Sequence, residues 1–342
     1  MKTMQQHGKW IYITPIYNLE IGKEIGGEIK IDRVVFVLKS KIPNIRKRLG
    51  FPFVFSKITE QESVESFFEE SKTYAILTFQ GVPKEKELEC RKIIEDAVNV
   101  LSFSQLGYCS RKSNSQFGLI KQRGYVRNFI LNKADFNGTL NNSVESKVLP
   151  FQINKAWYDY HKYFFFFDLL SIISSTDKMQ KKWKETIIRA AVMSGKSMQS
   201  RDLEYSFLWN MIIVEMLLTE QGDKYSDSLP ERAEAFIGWV GFWEEKKFEE
   251  RIRDLYTKRC QFVHDGNSNN ITVEDVLFTD NLVFNLMWNI VKHINLFPSK
   301  SSIIKFSDKV KAEKLLGIKS KVQPKTLRFM NRETETNDLE RI

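Results

Sequence analysis

The feature that most constrains the fold of this chain is a change of pattern close to residue 150. Before it, short runs of β-branched and aromatic residues end at Gly and Pro, which is typical of strands. After it, apolar residues recur every three or four positions, which is typical of amphipathic helices. The predicted strands are Trp10–Ile16, Glu28–Leu38, Phe51–Ile58, Thr73–Phe79 and further strands within Tyr108–Lys133. The sequence therefore predicts an α+β protein with a β-rich N-terminal part and an all-α C-terminal part.

The boundary between the two parts is predicted within residues 134–150, where Asn, Ser and Gly accumulate as in a linker. One helix beginning at Pro83 interrupts the predicted strands. Beyond the linker, the predicted helices span about 153–175, 178–194, 201–220, 230–241, 245–264 and 273–296. We therefore expect a β-rich domain over 1–149, a helical domain over 150–298 and a basic extension over 299–342.

The charge of the chain favours an anionic partner, because 52 Lys and Arg residues face 43 Asp and Glu residues and leave a net charge of +9. Three cysteines in 342 residues are too few for a disulfide framework. The first residues lack the apolar core of a signal peptide. The longest apolar run, 163–173, is much shorter than the roughly 20 residues of a membrane span. The sequence predicts a cytoplasmic protein with no membrane partner.

Three basic segments are candidates for contact with an anionic partner such as RNA. Lys39–Lys57 and Tyr108–Lys133 each carry six cations and no acid, while Lys300–Lys325 carries eight lysines and two acids. Aromatic residues interleave with the cations of the second segment, as base stacking requires. The candidate RNA-binding residues are Arg46, Lys47, Arg48, Lys121, Arg123, Tyr125 and Arg127. The alternative is that these segments are ordinary solvated surfaces.

The sequence predicts neither a phosphate-binding loop nor a metal or cofactor site. Residues 193–197, MSGKS, end like a phosphate-binding loop but lack the earlier glycine and follow a helical stretch. The glycines within 22–27 lack the spacing of a dinucleotide-binding turn and are expected in a hairpin. Cys260 and His264 lie one helical turn apart and could share a metal ion, but two ligands do not complete a site.

Residues 251–266, RIRDLYTKRCQFVHDG, combine a predicted amphipathic helix with two chemically useful side chains, Arg259 and His264. The residues expected to bury one face are Ile252, Leu255, Tyr256, Phe262 and Val263. On a continuous helix, Arg259 and His264 would point about 140° apart. They can share a face only if the helix ends or distorts at His264, and Asp265 with Gly266 predicts an ending there. The alternative is a capping histidine beside a solvated arginine.

This segment resembles the signature of the HEPN superfamily, in which an Arg followed after four to six residues by a His marks a metal-independent endoribonuclease. It is most similar to the Apea-like branch, where a Leu-Tyr pair, here residues 255–256, precedes the Arg and a Gly soon follows the His. The segment 207–218 is similar to that branch's helix with a Glu before a leucine pair, and the Glu is Glu215. The similarity covers about residues 200–297.

The resemblance implies an HEPN-like helical bundle that assembles as a face-to-face homodimer and cleaves RNA through a 2′,3′-cyclic phosphate. It also implies a setting in bacterial antiphage defence by abortive infection, with the N-terminal domain as a sensor or substrate domain. HEPN nucleases often place Asn, Asp or His after the Arg, where this chain has Cys260. That departure favours the alternative of a catalytically inactive HEPN scaffold that binds RNA or a protein partner. A third alternative is a structural dimerisation module whose N-terminal half senses a ligand.

The candidate catalytic residues are Arg259, His264 and Glu215, and their chemistry suits RNA cleavage without a metal. The guanidinium of Arg259 matches phosphate oxygens in a fork and keeps its charge. Histidine titrates close to neutral pH, so His264 can take up and release protons. Glu215 lies on the apolar face of its helix, where a carboxylate has to be paired. It either orients Arg259 or forms a structural pair with another Arg, and the sequence leaves both open.

Overall fold

The first half of the chain is rich in strands and the second half is helical. This is seen in a computed structural model that describes residues 9–51, 62–111, 114–120, 125–131, 138–144, 149–175, 179–238, 247–318 and 327. The predicted α+β class is confirmed. The chain divides into two units, of which the first joins Met1–Val98 to Arg111–Asp159 and the second joins Asn99–Ser110 to Tyr160–Ile342. The last change of unit therefore falls nine residues after Pro150, and residues 99–110 also belong to the second unit.

The first unit contains a four-stranded antiparallel sheet. The first five strands of the chain are β1 (Lys9–Ile16), β2 (Leu19–Ile21), β3 (Glu28–Ile31), β4 (Val34–Leu38) and β5 (Thr73–Gln80), and four of them form this sheet. The sheet has the order β1, β5, β4, β3, so β2 lies outside it. The predicted strands at 10–16 and 73–79 are confirmed as β1 and β5. The run at 28–38 is a hairpin of two strands, because Asp32 turns the chain with a φ of 50°.

Three further strands correct the predicted linker. They are β6 (Tyr125–Leu131), β7 (Gly138–Val144) and β8 (Phe151–Ile153). The prediction of an irregular linker over 134–150 is wrong for β7, which pairs with β6 in antiparallel register. Pairing to a neighbouring strand outweighs the low strand propensity of the Asn and Gly residues in β7. β8 pairs in parallel with β2, so the chain is still extended where a helix was predicted to begin at residue 153.

The remaining strand predictions fare differently. Within the described part of 108–133, only β6 is a strand, and residues 108–111 and 114–120 contain turns, bends and isolated bridges. The predicted strand at 51–58 lies outside the described residues apart from Phe51. The glycines within 22–27 were predicted in a hairpin, but they connect β2 to β3, which belong to different sheets.

Three helices of the first half interrupt the predicted run of strands. They are α1 (Ile42–Arg48), α2 (Glu62–Glu69) and α3 (Pro83–Phe103). Proline in the first turn of α1 supports the helix start. One apolar core joins α1 and α2 to the sheet, and its buried members are Val35, Val37, Ile42, Ile45, Phe68, Tyr74 and Ile76. The basic segment that begins at Lys39 is therefore helical where it carries Arg46, Lys47 and Arg48.

The second half is helical, as predicted. Its helices are α4 (Lys155–Tyr163), α5 (Phe166–Ser174), α6 (Lys181–Gln199), α7 (Leu203–Leu218), α8 (Tyr225–Ala233), α9 (Phe248–Asp265), α10 (Val273–Lys292) and α11 (Lys300–Leu315). A π-helical turn, Glu234–Gly238, extends α8. The single helix predicted at 153–175 is split into α4 and α5, and Phe164 between them packs its ring 5.1 Å from Trp288. No described helix is long and apolar enough to cross a membrane.

The core of the second unit surrounds α7 and α10. The helix predicted at 273–296 is confirmed as α10, which fully buries Val276, Val283, Met287 and Ile290, and burying each such side chain contributes about 1.5–3 kcal/mol. The basic segment predicted to extend from residue 299 begins with α11. That helix buries Ile303, Ile304 and Phe306, and the Phe306 ring lies 5.3 Å from Phe236 and 5.4 Å from Phe297.

Gly195 shows why residues 193–197 only resemble a phosphate-binding loop. These residues lie inside α6, where Gly195 is buried. A Cβ atom at this position would lie 1.8 Å from the carbonyl oxygen of Asn99 in α3. The glycine therefore permits two helices to approach closely, and the prediction that this segment is not a phosphate loop is confirmed.

Candidate functional site

Helix α9 carries both Arg259 and His264, and its ends follow from its sequence. Two acidic residues occupy the first turn, where negative charge complements the helix dipole. Phe248, Ile252 and Leu255 are buried and hold the helix on the unit. At the other end, Gly266 adopts the left-handed conformation with a φ of 67°, and its N–H donates to the carbonyl of Phe262 at 3.1 Å. The predicted glycine cap is confirmed.

The helix does not bring Arg259 and His264 onto one face. It remains α-helical through Asp265, so both residues lie within the same regular helix. Five residues at about 100° each separate their directions by about 140°. The expectation that the helix end would bring the two side chains together is therefore wrong. His264 is exposed in the last turn, whereas Arg259 is half-buried.

Arg259 forms an ion pair with Glu215, which lies on α7. The Nη2 of Arg259 donates to Oε2 of Glu215 at 3.0 Å, and its Nε lies 2.9 Å from Oε1 without hydrogen-bond alignment. The two side chains are 20% and 10% exposed, respectively. Of the two alternatives left open by the sequence, the structure pairs Glu215 with Arg259 and not with another arginine. The pair joins the two helices that the motif singled out.

Burial has the largest effect on the pKa of the Glu215 carboxyl. Burial raises the pKa of the Glu215 carboxyl above its usual range, and the charge and hydrogen bond of Arg259 oppose that rise. The carboxylate therefore depends on Arg259 for its stabilisation. Arg259 keeps donors that Glu215 does not use, because a guanidinium carries five N–H groups.

Tyr256 and Cys260 are next to Arg259 on α9, one helical turn apart. Burial raises the pKa of the Tyr256 hydroxyl to about 12, and a hydrogen bond with the Cys260 thiol acts in the same direction. The charges of Glu215 and Arg259 also act on this hydroxyl. The Tyr256 hydroxyl is therefore protonated at neutral pH, and its hydrogen bond goes to the neighbouring Cys260 thiol. Sequence reasoning had assigned Tyr256 only to the buried face.

Apolar side chains on α7 and α9 are left partly exposed around the pair. Tyr205 is 52% exposed and Val263 is 47% exposed, although Val263 was predicted to be buried. The Tyr205 ring contacts the Phe262 ring at 5.8 Å, which links the two helices. Half-buried residues continue this surface along α7, namely Leu208, Ile212 and Met216. We refer to these six residues as the α7–α9 surface.

A second polar network fixes α9 against the start of α10, and sequence reasoning missed it. Asp275 is fully buried, closes a capping box with Thr272, and accepts hydrogen bonds from Arg251 and from Lys258, the latter at 3.0 Å. The Thr-x-x-Asp spacing before α10 was the available signal. The network sets the position of α9, and Lys258 directly precedes Arg259.

The candidate RNA-binding residues lie in the first unit, and the structure describes three of their side chains. Arg46, Lys47 and Arg48 occupy the last turn of α1, where Lys47 is exposed and Arg48 forms an ion pair with Glu28 at 2.8 Å. Lys121 and Arg123 lie outside the described residues. Tyr125 and Arg127 lie on β6, at backbone positions opposite Val144 and Asn142.

Within the described residues, no group of three or more His, Cys, Asp or Glu side chains is arranged to hold a metal ion. Cys260 and His264 thus have no third ligand in that part of the chain. Comparison with protein families, curated proteins and solved structures finds no match to this chain. The resemblance to HEPN proteins therefore rests on the motif residues themselves.

Proposed function

We propose that this protein is a metal-independent endoribonuclease of HEPN type, which cleaves RNA through a 2′,3′-cyclic phosphate and acts in antiphage defence. The observation that carries the proposal is the ion pair between Glu215 and Arg259. It joins the two helices that the motif resemblance selects, and it holds a half-buried guanidinium in a fixed orientation. A fixed, desolvated cation is what stabilisation of a developing phosphorane charge requires.

Each side chain has a defined task in this reaction. Glu215 orients the guanidinium, and Arg259 uses its remaining N–H donors to hold the scissile phosphate. An imidazole takes the proton from the 2′-hydroxyl, and the 2′-oxygen then attacks phosphorus to form the cyclic phosphate. The bond from phosphorus to the 5′-oxygen breaks, and an imidazolium gives that oxygen a proton. The cycle needs one base and one acid, and each chain supplies one His264.

A homodimer through the helical domain would supply the second histidine that this reaction needs. Because Arg259 and His264 point about 140° apart on α9, one chain does not direct both at the same phosphate. A two-fold axis next to α9 would supply two copies of each side chain to one cleft. The α7–α9 surface supports such an arrangement, since Tyr205 and Val263 leave about half of their area uncovered.

The second candidate function is an inactive scaffold of the same fold that binds RNA or a protein partner. Cys260 favours it, because the position after the Arg carries a thiol where active relatives often carry an amide, carboxylate or imidazole. The engagement of Arg259 by Glu215 also fits a purely structural pair. The two candidates differ in one measurable property, which is turnover.

The test is incubation of the purified full chain with total RNA in EDTA, with analysis of the product ends. We expect cleavage that leaves 2′,3′-cyclic phosphate ends and that is lost in Arg259→Lys and in His264→Ala. Arg253→Ala is the matched control, because Arg253 is an exposed cation on the same helix, with 51% of its side chain accessible. Cleavage that requires added divalent metal, or that survives both substitutions, would contradict the proposal.

The dimer has a separate test in mixed subunits. Arg259→Lys chains mixed with His264→Ala chains form sites with one intact arginine and one intact histidine. Because that histidine serves only one of the two proton transfers, we expect recovery of a small part of the parental cleavage. A protein that is monomeric at assay concentration and still cleaves RNA would exclude the composite site. The absence of cleavage under all conditions, with a dimer present, would favour the scaffold.

A further inference from the structure

The first unit contains a cleft of about 1070 Å³ that the proposed nuclease site does not use. It opens where β1 passes into β2, where β4 ends, and where α2 leads into β5. This volume is slightly larger than the roughly 300–1,000 Å³ of typical small-molecule sites. Its lining includes Tyr17, which is half-buried, and Phe68, which is buried in the apolar core of the sheet.

Some polar groups of the cleft are already occupied by each other. Glu20 accepts hydrogen bonds from Lys72 and from Gln152, and the Lys72 contact holds the pKa of the Glu20 carboxyl below its usual range. The hydroxyl of Tyr17 donates to Glu70. These contacts fix part of the wall of the cleft.

Other polar groups of the cleft have no side-chain hydrogen bond or ion pair with any described residue. They are the ammonium groups of Lys23 and Lys39, the hydroxyl of Ser40 and the carboxylate of Glu69. Lys23 and Lys39 each begin a short 3₁₀ turn at the edge of the cleft, and both are exposed. Within the described part of the chain, the cleft therefore presents two unpaired cations, one unpaired carboxylate and one partly exposed aromatic residue, Tyr17.

We propose that this cleft binds a nucleotide whose base carries an exocyclic amino group. The two ammonium groups and the hydroxyl suit a phosphate, which is an anion with several acceptor oxygens. The partly exposed Tyr17 suits one face of a flat heterocycle. The free carboxylate of Glu69 can only accept hydrogen bonds when ionised, so it favours a base with an amino donor, such as adenine. The nucleotide is either free in solution or part of RNA, and the same chemistry serves both.

The experiment is calorimetric titration of the full chain with AMP, inosine monophosphate and adenosine. We expect AMP to bind, adenosine to bind at least tenfold more weakly because it lacks the phosphate, and inosine monophosphate to bind roughly tenfold more weakly because it lacks the amino group. The source of the nucleotide follows from a fourth titration with tetra-adenylate. Tighter binding of the oligonucleotide assigns the cleft to RNA, and equal or weaker binding assigns it to a free nucleotide.

Substitutions connect the binding to the cleft. Lys23→Gln with Lys39→Gln should remove the preference for AMP over adenosine, and Glu69→Gln should remove the preference over inosine monophosphate. Lys30→Gln is the matched control, since Lys30 is an exposed cation on β3 outside the cleft. Thermal unfolding of each variant verifies that the fold is retained.

The proposal is overturned if none of the four probes binds at millimolar concentration, or if adenosine binds as tightly as AMP. Unchanged affinities in the double lysine variant would also overturn it. The proposal is independent of the nuclease assignment, because Arg259→Lys should bind AMP as the parent does. If the protein does not cleave RNA, it can still bind the nucleotide in this cleft. Failure of the nuclease proposal is therefore distinguishable from failure of the nucleotide-binding proposal.

Discussion

Removing Arg259 from its ion pair with Glu215 is expected to destabilise the second unit more than removing Glu215. Arg259→Met leaves the carboxylate of Glu215, whose side chain is 10% exposed, without a cation. Loss of one partner of a buried pair costs about 3–5 kcal/mol, and the slight exposure points to the lower end of that range. Glu215→Met should cost only about 1 kcal/mol, since the longer Arg259 side chain can reach water.

The double variant completes the cycle. With both charges replaced by methionine, no buried carboxylate is left, and an adaptable apolar side chain fills each position. Replacement of a buried pair by apolar residues is often close to neutral, so we expect a total loss of about 1–2 kcal/mol. The coupling energy between the two sites is then about 2–3 kcal/mol.

Urea unfolding monitored by the helical circular dichroism signal measures these quantities, because the second unit holds most of the helices. The slope of the unfolding free energy against urea should be the same in all four proteins, so that midpoints report stability. If the two single variants lose equal amounts of unfolding free energy, the expected difference between Arg259 and Glu215 is wrong. A double variant as unstable as the sum of the singles would show that the pair contributes no coupling.

The difference in stability between the parent and Arg259→Met is also expected to depend on pH. In Arg259→Met, burial raises the pKa of the Glu215 carboxyl without an opposing cation. The native state then binds a proton more tightly than the unfolded state, and the variant gains stability relative to the parent as the pH falls. The difference in unfolding free energy between parent and variant should therefore shrink between about pH 7 and about pH 5. A difference that grows over this interval would contradict the assignment.

Two further predictions concern the packing of the second unit. Burial lowers the pKa of His161 to about 3, so protonation of the unfolded state should cost the parent about 2 kcal/mol between about pH 7 and about pH 5. His161→Gln should lack that acid loss in urea unfolding, and an unchanged pH profile would refute it. Gly195→Ala places a Cβ 1.8 Å from the Asn99 carbonyl oxygen and should cost about 2 kcal/mol or more. The exposed Lys196→Ala should change the thermal midpoint little, and equal shifts in the two variants would exclude the packing explanation.

Local signals in the sequence were sufficient for several features of the fold and the site. The Asp265-Gly266 pair predicted the end of α9, because only glycine takes the left-handed conformation of that cap at little cost. The recurrence of apolar residues every three or four positions predicted the helix that is now α10. The position of Glu215 on an apolar face predicted that it needs a partner. Each of these rests on residues within a few turns of each other.

Contacts between distant parts of the chain were beyond the reach of such signals. Glu215 and Arg259 are 44 residues apart, so local spacing could not select this arginine over others. The pairing of β7 with β6 overrides the polar composition that predicted a linker. The close approach of α6 and α3 at Gly195 depends on a residue almost a hundred positions earlier. Tertiary packing decides each of these, and one sequence does not reveal it.

The continuity of α9 determines what its Arg–His spacing can do in a single chain. Arg259 points toward α7, and His264 lies at the exposed end of the helix. To reach one phosphate with both side chains of a single chain, the last turn of α9 would have to unwind. Unwinding would break the hydrogen bond from Gly266 to Phe262 and the adjacent backbone hydrogen bonds, at a cost of about 0.5–1.5 kcal/mol each. The proposed second chain would avoid this cost and would also cover the α7–α9 surface. Recovery of activity in mixed subunits therefore separates the two routes, since unwinding within a chain cannot restore a site that lacks its own arginine or histidine.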